Sequence, residues 1–159
     1  MGKKKSNFFD SRDKYLSFIN STNEKSKIAF EIATYLKKTK IKGDAFKIFD
    51  AGTGDGTIIS TLLSAVHDKF PEDPIIVVGK EISIDDINAL LSYLGYRFYE
   101  HKSLVFCVTN VSYQDIYNQN FDDCNFLKKE LTGNSSFSFN QQLMGMSDVI
   151  KKNWELKED

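Results

Sequence analysis

Short apolar runs alternate along the chain with longer stretches in which apolar residues recur every three or four positions. The runs read as strands and the longer period as helices. Ser21-Thr22-Asn23-Glu24 has capping-box form, a hydroxyl followed three residues on by an acid. Behind it Ile28, Ile32, Tyr35 and Leu36 fall at i, i+4, i+7 and i+8, which predicts a helix ending in residues 38–40, before Gly43. Ile48 and Phe49 suit a buried strand. Ile59, Leu62, Leu63, Val66 and Phe70 share a helical face, and Pro71 stops that helix. Residues 75–78, Ile-Ile-Val-Val, form a β-branched run between Pro74 and Gly79, as in a parallel strand buried on both faces. Ser83 and Asp86 form a second capping box before Ile84, Ile87, Leu91 and Leu94, with Gly95 as the expected C-cap.

Residues 104–109 read as a third strand, followed by a cap at Ser112 and Asp115. Residues 118–123 are polar. Residues 124–131 are a candidate fourth strand, interrupted by Lys128, Lys129 and Glu130. Phe139, Leu143, Met146 and Ile150 give one last amphipathic helix. Strand, helix, strand, helix, strand predicts an α/β fold with a doubly wound parallel sheet and a leading N-terminal helix. Residues 1–20 form a basic and polar, partly flexible segment, and residues 21–159 one domain.

The first strand runs into Asp50-Ala51-Gly52-Thr53-Gly54-Asp55-Gly56-Thr57. Glycines two residues apart let the backbone turn sharply and approach a ligand with no Cβ in the way. The amides opening the next helix carry partial positive charge toward a polar or anionic ligand edge. Asp50 sets a carboxylate just before the turn, where an ammonium or a hydration water fits. An acid follows the second strand, Glu81, 25 residues after Gly56. In nucleoside-binding α/β folds such a carboxylate accepts from both ribose hydroxyls.

A hydrophobic strand followed by Asp50-x-Gly52-x-Gly54-x-Gly56 resembles motif I of the Rossmann-like S-adenosylmethionine (SAM)-dependent methyltransferases. The resemblance covers roughly residues 24–117, the cofactor half of that fold, and implies a Rossmann-like sheet incomplete at its C-terminal end. It implies SAM as cofactor, held by Asp50, Ala51, Gly52, Thr53, Gly54 and Gly56 at the turn. Glu81 and Ile82 would lie at the ribose, and Asn110 and Val111 at the adenine ring. The family often has an acid where this chain has Asn110, though an amide can also pair with the adenine amino edge. The dinucleotide fingerprint G-x-G-x-x-G needs a glycine at Thr57.

Net charge is −1 over 159 residues, so no global field draws the chain to nucleic acid. No apolar run approaches the roughly 20 residues of a membrane span. Cys107 and Cys124 make neither a disulfide framework nor a zinc site, and a reducing cytoplasm is the expected location. Met1-Gly2-Lys3-Lys4-Lys5-Ser6 fits a short myristoylation pattern, but a solvated basic start is the preferred reading. The only prolines are Pro71 and Pro74, which excludes the Asn-Pro-Pro-aromatic and Pro-Cys motifs of nucleic-acid methyltransferases. The acceptor is then a small molecule or a protein side chain, with the small molecule preferred. A partner chain or oligomer covering the incomplete sheet is a further expectation.

His67 reads as structural or solvated, and Arg97, Glu100 and His101 as a charged surface loop, with substrate orientation the less favoured alternative. Tyr15 and Phe18 either join the core or help close the site. Three functions stay open: a SAM-dependent methyltransferase, a nicotinamide or flavin oxidoreductase, and a non-catalytic fragment that binds a nucleoside or a partner.

Overall fold

A computed structural model describes residues 23–36, 38–120 and 127–154. Nine elements follow in chain order: α1 (Glu24–Leu36), β1 (Phe46–Asp50), α2 (Thr57–Lys69), β2 (Ile75–Lys80), α3 (Ile84–Glu100), β3 (Leu104–Thr109), α4 (Tyr113–Asn118), α5 (Ser136–Met144) and α6 (Ser147–Asn153). The strands form a parallel sheet of order β1-β2-β3. Phe46 pairs with Ile75 and Ile75 with Leu104, so the three strands start level.

Both crossovers step across the sheet in the same direction. With the usual right-handed sense, α2 and α3 fall on one face. The core lies on that side: Phe46, Ile75, Val77 and Leu104 from the strands meet Ile59, Leu63 and Val66 of α2 and Ile87, Leu90 and Leu94 of α3. Among the described residues the other face is bare. Phe49 and Val105 are 60% and 58% exposed, Cys107 is exposed, and Ile76 and Val78 are only half-buried. The described residues therefore wind the sheet on one side, not on two, and residues 75–78 alternate between core and surface instead of being buried throughout.

The caps form as their sequences require. Ser83 Oγ accepts from the Asp86 amide at 3.3 Å, and Ser112 Oγ from Asp115 at 3.0 Å. The α2 helix ends at Lys69, two residues before Pro71. The expected cap at Ser21 lies outside the described residues, as do Tyr15, Phe18 and residues 124–126 of the candidate fourth strand. Residues 127–131 are not in a strand.

Three expectations are corrected. The α1 helix turns Ala29 and Leu36 inward, while Ile28, Ile32 and Tyr35 stay exposed. Gly95 does not end α3, which runs on to Glu100. A Cβ at Gly95 would lie 2.0 Å from Asn140 Oδ1 and 2.7 Å from the Asn140 backbone nitrogen, so the glycine is where α5 crosses α3. The last helix is two, α5 and α6, separated by Gly145 and Met146. Its apolar stripe survives: Leu143 is buried, and Met146 and Ile150 pack on the core.

Two lysines fasten α1 alongside α2. Lys25 Nζ reaches Asp55 Oδ2 at 2.8 Å at one end. At the other end Lys69 Nζ donates to the carbonyls of Leu36, the last residue of α1, and of Thr39 just beyond it. Among the described residues no helix is long and apolar enough to cross a membrane.

Candidate functional site at the carboxyl edge

The parallel register carries the three strand ends to one edge. Asp50 pairs with Gly79 and Lys80 with Thr109, and the Glu81 amide donates to the Thr109 carbonyl at 3.0 Å. Open α/β sheets hold ligands at this edge. Asp50 ends β1, and Glu81 and Asn110 are the first residues after β2 and β3, so the three, scattered in sequence, come to the same edge.

The turn after β1 takes the shape its glycines permit. Gly54 and Gly56 have φ of +54° and +82°. A Cβ at Gly56 would meet Leu90 Cδ1 at 2.5 Å and Leu90 Cα at 3.1 Å, so α3 presses on the start of α2 there. Gly52 is exposed, with nothing within 4 Å of an added Cβ. Thr53 is buried, and its amide donates to the Lys80 carbonyl at 3.0 Å, tying the turn to β2.

Glu81 is the hub. Its Oε2 accepts from the Gly54 amide at 2.8 Å. Its Oε1 accepts from the Ile82 and Ser83 amides at 2.7 and 2.9 Å. Three charge-assisted bonds fix the carboxylate between turn and strand. Asp50 lies half-buried beside it. Burial raises the Asp50 pKa above its ordinary 3.8 and the Glu81 charge adds to this, against the Gly52 amide and the Thr53 hydroxyl. Asp55 caps the first turn of α2, accepting from the Thr57 amide at 3.1 Å. Burial alone would raise its pKa, but Lys25 and the Thr57 bonds outweigh that and hold it below 3.8. Three carboxylates thus surround one glycine-rich turn.

The remaining expected positions are close by. The Ala51 carbonyl accepts from the Tyr113 hydroxyl, so α4 reaches back across the strand ends to the turn. Ile82 is exposed in the loop after β2. Asn110 and Val111 are half-buried after β3, where the Val111 amide donates to Thr109 Oγ1 at 3.2 Å.

Sequence reasoning missed Lys80, Tyr113 and the Lys25–Asp55 tether. Lys80 is only 6% exposed at the end of β2, with Nζ 4.7 Å from the centre of the Tyr113 ring. The signal was present: Lys80 continues the period-2 series of Ile76 and Val78, so a lysine occupies an apolar position.

The second polar cluster lies at the opposite end of the sheet. His67 Nδ1 donates to Glu100 Oε2 at 3.2 Å, and Arg97 donates to the same oxygen at 2.5 Å. His101 Nε2 donates to the Phe70 carbonyl at 2.9 Å, and the imidazole rings sit 4.8 Å apart. Arg97 and Glu100 belong to the last turn of α3, not to a loop, and the two histidines are buried. Burial lowers the His67 pKa below 6.5, and the nearby His101 and Arg97 add to this, against the Glu100 bond and charge. A groove of about 430 Å³ lined by Lys38, Ile41, Lys69, Phe70 and Asp73 opens at the same end, away from the turn. Among the described residues no histidine, cysteine and carboxylate side chains group to hold a metal ion. No protein-family model, no curated protein and no solved structure matches the chain.

Proposed function

We propose that the carboxyl edge binds S-adenosylmethionine and that the chain serves methyl transfer from it to an acceptor, a small molecule in preference to a protein side chain. The observation that carries this reading is the trio of carboxylates, Asp50, Asp55 and Glu81, around a turn whose glycines leave main chain open to a ligand. A turn lined with negative charge suits a ligand bearing sulfonium and ammonium groups. It suits a pyrophosphate less: Asp55, paired with Lys25, occupies the start of α2 where dinucleotide folds place phosphate, and Thr57 stands where their fingerprint needs a glycine. The same observation ranks the nicotinamide or flavin reading lower.

The cofactor would supply an activated methyl group on a good leaving group. Glu81 would take the ribose hydroxyls and the Gly52–Gly54 main chain the amino-acid tail. Asn110 and Val111 would flank the adenine. The protein's task is then to hold two reactants in line and exclude water, with no covalent intermediate.

Calorimetry with SAM, S-adenosylhomocysteine and NADH tests the proposal. The two sulfur nucleosides are expected to bind, and Glu81→Ala to weaken them about 10- to 100-fold, the worth of a hydrogen bond to a charged group. Asp50→Ala weakens them in the same direction. Folded protein that binds neither nucleoside ends this reading, and tight NADH binding reverses the ranking. Binding with no turnover on any acceptor leaves the non-catalytic alternative.

A further inference from the structure

Lys80 is the last residue of β2, and its place in the strand decides where it points. Gly79 faces the helices, since a Cβ there would strike Thr53 Oγ1 and Phe106. Lys80 therefore belongs to the bare face, with Ile76 and Val78. It is nevertheless 6% exposed. Among the described residues its side chain forms no hydrogen bond or salt bridge, and its ammonium lies over the Tyr113 ring. Its ammonium is not among the buried polar atoms left without a partner, so the apolar stem is buried while the charged tip keeps contact with solvent, held over the ring by a cation–π contact. The Tyr113 hydroxyl, committed to the Ala51 carbonyl, ties the ring that meets the ammonium to the turn. Next to Ala51 the main chain at Gly52 is open.

We propose that Lys80 and Tyr113 form an oxyanion subsite beside the glycine-rich turn, and that the methyl acceptor is an acid held there by a carboxylate or phosphate group. The assignment of this anion to an acceptor rests on the SAM reading above. Consecutive strand residues address opposite sides, so Glu81 serves the nucleoside and Lys80 serves a second reactant arriving from the bare face. The carboxylates repel an anion from the turn itself, while Lys80 offers the one buried lysine among the described residues.

Backbone amide spectra of the full chain, titrated with acetate and separately with inorganic phosphate, test the subsite. Saturable shifts are expected at Ala51, Gly52, position 80 and Tyr113, and a response at least tenfold weaker in Lys80→Met. The variant should melt near the wild-type temperature, since an apolar side chain of similar length keeps the buried stem packed and only the cation–π contact is lost. Absent shifts in the wild-type protein, shifts confined to other lysines, or shifts that persist in a folded Lys80→Met overturn the subsite. Should that variant fail to fold, the wild-type titration still decides. A tighter response to acetate identifies a carboxylic acid, and a tighter response to phosphate a phosphorylated acceptor.

Calorimetry separates this from the cofactor question. S-adenosylhomocysteine that binds while the anion shifts are absent overturns the subsite alone. Anion shifts without nucleoside binding overturn the SAM reading and leave the subsite. Lys80→Met is expected to leave S-adenosylhomocysteine affinity unchanged. A loss for that ligand but not for methylthioadenosine, which lacks the amino-acid tail, would make the anion the cofactor's own carboxylate and overturn the acceptor assignment.

Discussion

Two glycines of one turn carry different burdens. Gly56 has φ of +82° and a would-be Cβ 3.1 Å from Leu90 Cα, which is main chain and does not yield. Gly56→Ala combines left-handed strain with overpacking and is expected to cost about 2–5 kcal/mol. Gly52→Ala meets nothing and should change stability by less than about 0.5 kcal/mol. Urea denaturation of both variants checks the contrast. A Gly52→Ala loss confined to nucleoside binding would mark that glycine as a contact and not a hinge of the fold. His67 is a residue-scale probe of the opposite edge. Its pKa is depressed in the folded protein, chiefly by burial, so the unfolded chain takes up its proton first as pH falls. Stability is expected to drop as pH falls through the ordinary histidine value of 6.5 toward the lower folded one. Urea midpoints across that window should show a flatter pH dependence in His67→Phe. An equal slope in the variant would remove His67 as the cause.

At the scale of elements, packing decided what the hydrophobic pattern left open. The α1 sequence offers two helical stripes. The large one, Ile28, Ile32 and Tyr35, looks like a core face, yet the smaller side containing Ala29 lies against α2. Lys25 and Lys69 hold α1 in this setting from both ends. Neither tether is visible in a single sequence, because each joins residues about thirty positions apart. Gly95 shows the converse: a glycine with the look of a helix stop serves instead to let two helices approach. Gly95→Ala gains about 1 kcal/mol in helix propensity but drives a methyl group into the Asn140 backbone. The expected result is a net loss of about 1–2 kcal/mol in denaturant titrations, with α3 intact and its contact with α5 loosened. A stabilised Gly95→Ala would mean that α5 does not sit as closely as described. What was legible was local chemistry. The Ser83 and Ser112 caps, the strand ends at Asp50 and Glu81, and the halt before Pro71 each follow from residues within one turn of each other.

At the scale of the molecule, the described residues make a two-layer α/β arrangement: one parallel sheet, helices on one side, and a side of exposed Phe49, Val105 and Cys107 with half-buried Ile76 and Val78 that no described element covers. The carboxyl edge was legible because a parallel sheet brings equivalent strand ends together whatever lies between them. The bare side was not, because residues 75–78 are apolar throughout, and that pattern does not say which side the rest of the chain covers. An exposed apolar face of this kind binds hydrophobic dyes and limits solubility. The double substitution Phe49→Lys with Val105→Lys is expected to lower anilinonaphthalene sulfonate fluorescence and raise the solubility limit. Neither position is in the core, so folding stability should change by less than about 0.5 kcal/mol per site. Dye fluorescence unaffected by both changes would place the apolar surface elsewhere.

Glu81 has one more implication. Its carboxylate staples Gly54 to the loop after β2 through a single bond at Oε2, while Oε1 takes two amides. A carboxylate accepts at about four positions, so Oε2 keeps one lone pair uncommitted. On the nucleoside proposal a sugar hydroxyl would add its bond beside the staple and leave the turn in place. One acid would then brace the fold and greet the guest at once, with no rearrangement between the two tasks.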